Sequence, residues 1–240
     1  MCGRFSLTHK FSWREYAERL AILGETPTHD DRYNARPGEA CVVIVNRDGR
    51  VIADQMRWGF QPDWMTRDWM RAKKRYSPPI NARAETIFEG RSMWARAARI
   101  RRCVLPCDGF YEPKGPKSQK KRPQYYFQAR GGAPMSLAAL WTTRTDEETG
   151  EVIDSFAIVT MAANEQMAPI HDRMPILLRD DEARLWLDPA VEDVEQLAAL
   201  LSPKQIARFD FWRVSDYVNK RDSEGPACIE PAEEEPARLL

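Results

Sequence analysis

This chain carries no net charge: 36 lysines and arginines stand against 36 aspartates and glutamates, and the isoelectric point is about 6.8. Net charge therefore gives no reason to expect a nucleic-acid partner. No apolar run reaches the roughly 18 residues that a helical membrane span needs, so no membrane partner is expected. Histidine is scarce, with only His9, His29 and His171. Cys103 and Cys107 sit four apart in C-V-L-P-C, a poor metal-ligand spacing. Together these argue against a zinc site, and no cofactor is expected. The five cysteines (2, 41, 103, 107, 228) are odd in number, and Met1 is followed by Cys-Gly-Arg-Phe rather than by a basic and then an apolar stretch. The expected location is the reducing cytoplasm, beside the nucleoid if the source is bacterial.

What is present is a core. Of 240 residues, 43% are hydrophobic, with 8 Trp, 9 Phe and 7 Tyr, which excludes a disordered chain. Ser12-Trp-Arg-Glu15 reads as a capping box opening a helix to about Leu23. Residues 40–60 contain two strand-like runs around Asn-Arg-Asp-Gly, a hairpin signal. "NARAETIF" and "SMWARAARIRR" read as helices. "RCVLP", "GFYEP", "QYYFQA", "SLAALWTT", "DSFAIVTM" and "FDFWRVS" read as strands, and "DDEARLWL" and "VEDVEQLAALL" as two short helices. Strands come in consecutive runs rather than alternating with helices. The expectation is an α+β fold: one domain with a largely antiparallel, curved or barrel-like sheet flanked by short helices. That domain is expected over residues 1–228, with a flexible, acidic, proline-bearing tail over 229–240.

The zero net charge hides a pattern. Basic residues cluster at 67–75, 91–102 and 114–122, while acids concentrate at 180–195 and in the tail. Such runs are usually solvated faces. The functional alternative is a basic surface for phosphates, with Trp64, Trp69 and Trp94 interleaved for base stacking.

The residue with the most distinctive chemistry is Cys2. Taken alone, a cysteine at position 2 is an inert small hydrophobe. If Met1 is removed, however, Cys2 carries both a free α-amine and a thiol, with ordinary pKa values of roughly 8 and 8.5. An amine condenses with an aldehyde to an imine, and an adjacent thiol closes a five-membered thiazolidine, helped by proximity. The same pair could instead attack an amide, with the amine as base. Asn81, Arg83 and Glu85 in "INARAET", Glu112 in "PCDGFYEP", and His171 and Arg173 in "IHDRMPILL" supply candidate partners.

With "MCGRF" at 1–5, these segments resemble the SRAP family of abasic-site processing proteins. The matching stretches continue with "RYNARPG" (32–38), "MRWGFQPDW" (56–64), "INARAET" (80–86), "RRCVLPCDGFYEP" (101–113), "FAIVTMAAN" (156–164) and "IHDRMPILL" (170–178), in the family's order. A fainter match, "WRVSDYVNKRDSEG", reaches residue 225. The family's usual Trp after the glutamate is Pro113 here, and Cys107 stands where a small residue such as Ala is common.

The resemblance implies that Cys2 is a crosslinking nucleophile and that Asn81 holds the Cys2 end and the sugar. It implies that Glu112 moves protons beside the amine, and that His171 is the acid/base for opening the sugar ring. By the same resemblance Arg4, Asn34, Arg83, Thr160 and Arg173 grip phosphates or the DNA strand, and Trp64 and Met65 form an apolar wedge. The implied partner is single-stranded DNA containing an abasic site, or a single-strand/duplex junction. Three rival readings start from the same residues. One is an amidohydrolase with an N-terminal nucleophile, since such domains also begin Met-Cys-Gly. Another is a non-catalytic reader of single-stranded or modified DNA. The third is a peptidase that removes its own first residue.

Overall fold

In the computed structural model the described residues are 2–8, 12–25, 30–73, 76–116, 118–201 and 208–232. His9, His29, Lys74, Arg75, Lys117 and residues 233–240 of the tail lie outside them. Within these described residues the framework is built from thirteen strands: β1 (Phe5–Leu7), β2 (Arg32–Ala35), β3 (Ala40–Arg47), β4 (Arg50–Trp58), β5 (Asn81–Arg83), β6 (Arg102–Cys107), β7 (Gly109–Pro113), β8 (Gln124–Ala129), β9 (Met135–Thr145), β10 (Val152–Ala162), β11 (Arg173–Pro175), β12 (Leu177–Leu178) and β13 (Phe209–Arg213). Among the described residues five short α-helices accompany them: α1 (Trp13–Leu20), α2 (Arg67–Ala72), α3 (Ala95–Ile100), α4 (Asp180–Leu187) and α5 (Val194–Leu200). None of these helices is long and apolar enough to cross a membrane.

The strands form two sheets. One closes on itself: β10 pairs with β4, β4 with β3, β3 with β6, β6 with β9, and β9 again with β10. The result is a five-stranded barrel carrying β5, β11 and β12 at its rim. The pairings of β10 with β4 and β5 are parallel and the others antiparallel. The second sheet has the order β13-β8-β7-β1-β2 and is antiparallel throughout. The fold is thus the α+β, largely antiparallel, barrel-like class that the strand-rich sequence predicts.

Local chemistry explains the elements. The β3–β4 hairpin turns on Asp48 and Gly49, both at positive φ (52° and 80°), the two-residue turn whose twist matches antiparallel strands. Ser12 caps α1 by accepting from the Glu15 N–H, and Trp13, Tyr16 and Leu20 bury one face. The helix stops at Leu20, short of Leu23, because Ala21 turns left-handed (φ 53°). Strand β6 is buried along its whole length, so it reads as a continuous apolar run rather than an alternating one. Arg102 within it sends its guanidinium to the carbonyls of Trp186, Ala98, Arg99, Asp188 and Val191, tying the ends of α3 and α4 together.

The expected helix over 81–88 is absent. Asn81–Arg83 instead pairs in parallel with Ile158–Thr160 and is followed by turns. A free edge on β10 outweighs the helix propensity of an Ala/Arg-rich stretch. Trp94, a candidate stacking residue, is buried against Phe60 with ring centroids 4.5 Å apart.

The outer face of the five-stranded sheet carries a second core of Tyr33, Tyr111, Tyr126, Val214, Val218 and Cys228. It is covered by the chain after β13. Residues 229–232, placed in the tail by the sequence reading, run back along β13: Trp212 Nε1 donates to the Ile229 carbonyl (2.7 Å) and the Ala232 N–H to Arg213 (2.8 Å).

Gly109 is where the two faces of this sheet leave no space. A Cβ there would lie 2.2 Å from Cζ of Tyr126, whose hydroxyl is held at 2.7 Å from Ser6 Oγ. Gly109→Ala is therefore expected to lower unfolding stability by about 1–3 kcal/mol, the usual range for overpacking. A denaturant midpoint equal to wild type would show that Tyr126 swings aside freely.

Candidate active site

The site lies at one end of the five-stranded sheet. Strand β1 is internal, paired with β7 on one edge and β2 on the other. The residues preceding it are thereby carried into the protein, and Cys2 is fully buried. Its carbonyl accepts a hydrogen bond from Asn81 Nδ2 (2.9 Å), and its thiol points toward the Arg4 carbonyl (Sγ to O 3.7 Å). Asn81 is positioned by the parallel pairing of β5 with β10. Its Oδ1 is buried and makes no hydrogen bond among the described residues.

Glu112, on β7, is also fully buried. Its Oε2 lies 3.6 Å from Nε2 of His171. His171 ends a turn begun at Asn164, whose side chain accepts from the Met167 N–H (2.9 Å). His171 Nδ1 lies between the Arg173 backbone N–H (3.0 Å) and the Arg173 carbonyl (3.2 Å), which fixes the ring with Nε2 facing Glu112. The Asp172 carboxylate, 3.1 Å from Nδ1 and almost fully exposed, is the counter-charge available when the ring is protonated. Cys2, Asn81, Glu112 and His171 therefore converge, although 169 residues separate the first from the last.

Burial sets the protonation states. Desolvation pushes Glu112 up to about 7, with the positive charge of the amino terminus acting in the opposite direction. Desolvation, with the Glu112 charge second, raises the Cys2 thiol far above its ordinary range. His171 is lowered, again chiefly by desolvation. The site at neutral pH thus holds a neutral thiol, a neutral imidazole and a carboxyl poised between its two forms, a set suited to proton transfer rather than to a standing thiolate. Among the described residues no group of three His, Cys, Asp or Glu side chains is arranged to hold a metal ion.

The other sequence-predicted residues divide. Thr160 and Arg173 adjoin the site. Thr160 is buried, and its carbonyl accepts from Arg173 Nη2 at 2.6 Å. Arg173 makes a two-pronged ion pair with Glu85 (2.5 and 2.9 Å), which holds the Glu85 carboxyl below its ordinary range. Glu85, the acidic residue of the "INARAET" segment, is thus the partner of that arginine. Arg83, next along β5, is exposed.

Trp64 is half exposed and stands edge-on against Trp69 (5.0 Å), which in turn meets Tyr76 (4.9 Å). Met65, by contrast, is buried, with the Tyr76 hydroxyl on its sulfur (3.3 Å). Helix α2 behind Trp64 is fastened to the β9–β10 turn by Arg67, paired with Asp146 (2.6 Å) and with Glu148.

Arg4 and Asn34 are engaged inside the molecule. Arg4 Nη1 donates to the Val218 carbonyl (2.9 Å) and Asn219 Oδ1 (3.0 Å). Asn34, buried, donates to Val218 and Ser223, and Arg36 to the Lys220 carbonyl (2.7 Å). These residues clasp the C-terminal segment over the second core.

The family model described as SOS response associated peptidase (SRAP) matches residues 1–221. The chain belongs to the SRAP family. Among the relatives of this SRAP chain is the abasic site processing protein YoqW of Bacillus subtilis. It is 32% identical over 233 residues, covering 96% of this chain and 99% of the relative. The abasic site processing protein YedK of Escherichia coli is 31% identical over 240 residues, covering 96% of this chain and all of the relative. A crystal structure of a Bacteroides thetaiotaomicron protein superposes with a TM-score of 0.79, covering 97% of this SRAP chain and all of that one. Its 24% identity makes it a likeness of fold.

The burial of Glu112 has a measurable signature. A carboxyl whose folded pKa (about 7) exceeds the ordinary value of 4.5 keeps its proton longer in the native state. Stability therefore falls as pH rises through that window. At about 1.4 kcal/mol per unit the loss is at most about 3 kcal/mol. Glu112→Gln removes it, so the variant should match wild type in thermal unfolding near pH 4.5 and exceed it at pH 8. Equal pH dependence in both proteins would contradict the raised pKa.

Proposed function

We propose that this protein processes abasic sites in single-stranded DNA by covalent capture. Once Met1 is removed, the Cys2 amine and thiol close a thiazolidine on the ring-opened sugar aldehyde. The observation that carries this reading is the convergence of Cys2, Asn81, Glu112 and His171 in one buried cluster. The family and the names of its relatives point to the substrate.

The chemistry balances with the groups at hand. Opening the sugar hemiacetal moves a proton from the anomeric hydroxyl to the ring oxygen, the exchange assigned to His171. The Cys2 amine adds to the aldehyde carbon to give a carbinolamine. Protonated Glu112 gives its proton to the departing hydroxyl, water leaves, and an iminium and a carboxylate remain. The thiol then attacks the iminium carbon while its proton passes to Glu112, closing the ring and regenerating the acid. The net reaction is aminothiol plus aldehyde to thiazolidine plus water. A thiol held neutral by burial suits this order, because its proton is released only when the adjacent carboxylate has formed. Asn81 fixes the Cys2 carbonyl and keeps Oδ1 for a sugar hydroxyl. Arg83 and Arg173 serve neighbouring phosphates, and Trp64, braced by Trp69 and Tyr76, stacks or wedges against a flanking base. A strand whose target has no base leaves backbone and stacked neighbours as the features to bind.

The deciding experiment is denaturing electrophoresis after mixing the protein with abasic single-stranded DNA. Wild type should give a stable adduct with the strand intact, and intact mass should show loss of Met1. Cys2→Ala retains the amine and should give only a transient, borohydride-trappable adduct. His171→Ala should slow capture roughly 10²–10⁴-fold, the range for a lost general acid/base. Because Glu112 must start protonated, capture under saturating protein should decline as pH rises through about 7. A heat-stable adduct formed by Cys2→Ala without reductant would remove the thiol from the mechanism.

A further inference from the structure

The three basic runs do not share one fate. In the first, Arg67 and Arg71 are answered by Asp146 and Glu148. In the second, Arg102 is consumed by backbone carbonyls, and Arg101 lies over the Trp141 ring (5.0 Å). The third is set apart by where its cations gather, since exposed arginines of the second run such as Arg91 and Arg96 are likewise without an ion pair among the described residues. Lys120, Lys121 and Arg122 sit on the β7–β8 hairpin and, with Arg4 and Lys220, line a cleft of about 490 Å³ whose single acid is Asp216. Among the described residues Lys120, Lys121, Arg122 and Lys220 form no ion pair, although ion pairs are common elsewhere on this surface.

The cleft is joined to the candidate active site at two points. Arg4 follows Cys2 by two residues and is locked to the opposite wall through Val218 and Asn219. The hairpin leaves β7 at Pro113, one residue beyond Glu112, with Lys114 over the Tyr125 ring (5.8 Å), and Tyr125 is the cross-strand partner of Glu112. Partners directly opposite in a sheet share a face, so the wall holding Glu112 runs on toward the basic hairpin. Burial raises Glu112 and lowers His171, and the charge of Arg122 reaches both as a smaller effect.

We infer that this cleft, between the β7–β8 hairpin and the C-terminal loop, is a phosphodiester-binding subsite that takes the strand on one flank of the reacting sugar. It rests on the function proposed above and extends it, since it gives the strand a direction across the molecule. Unpaired cations in a concave wall suit a string of phosphates, where each contact adds affinity by releasing counterions. The rigid Arg4–Asn219 link keeps the two walls at a fixed separation.

The test is Lys121→Gln combined with Lys220→Gln, which alters no group of the reacting site. Binding is measured on an intact single-stranded oligonucleotide over a salt series. Two lost phosphate contacts should reduce the slope of log K against log salt by about 1.4, which is about a 25-fold loss at 0.1 M salt that vanishes near 1 M. Arg14→Gln with Arg50→Gln, the same charge loss at exposed positions outside the basic runs, should leave the slope unchanged. Abasic oligonucleotides shortened on one side or the other should then separate the flanks: the deficit should disappear for one truncation and persist for the other. An unchanged slope in the lysine variant, an equal fall in the arginine control, or a deficit shared by both flanks would overturn the subsite while leaving covalent capture by wild type intact. Failure of wild type to bind or capture any strand would overturn both.

Discussion

The double pairing of β1 is the constraint on which the candidate site depends. A terminal strand usually lies at a sheet edge, where its preceding residues fray. Here β7 and β2 flank it, so Cys2 is held inside the protein at the level of Glu112. Burial then does the chemical tuning. Removing water from a carboxyl, a thiol and an imidazole favours the uncharged form of each, and the three shifts together leave Glu112 as the group able to change state near neutrality. The closed barrel contributes from the other side: β10 supplies the register for Asn81 through β5 and for Arg173 through β11.

Much of this was legible in the sequence, for local reasons. The Ser12 cap, the Asp48-Gly49 turn and the span of α4 are dictated by neighbours within four residues. Long buried strands such as β6, β9 and β10 announce themselves as apolar runs. The strands that build the site are different. β1, β5 and β11 are three residues each, too short for any periodicity, and exist because a distant edge accepts them. Propensity read 81–88 as a helix because the partner of Asn81, residue 158, is far along the chain.

Side-chain roles show the same boundary. Cys2, Asn81, Glu112 and His171 stood out as residue types with suitable chemistry in recognisable segments. Arg4 and Asn34, strand-gripping residues by the family resemblance, also both bond to Val218, more than 180 residues away. An amide or a guanidinium offers the same donors to a phosphate as to a carbonyl, and sequence does not distinguish the two. Glu85 shows the converse case: its importance lies in facing Arg173, 88 residues on.

The internal position of β1 also imposes an order of events during synthesis. An enzyme that trims a first residue works on a loose, extended end, whereas Cys2 in the finished protein is fully buried. That end stays accessible on the ribosome until β7 has emerged to receive β1. Residues 109–113 are made about 5–20 s after the first ones at common translation rates. For the covalent capture proposed above, which needs the Cys2 amine, the window for exposing it is therefore the interval before β1 docks between β7 and β2.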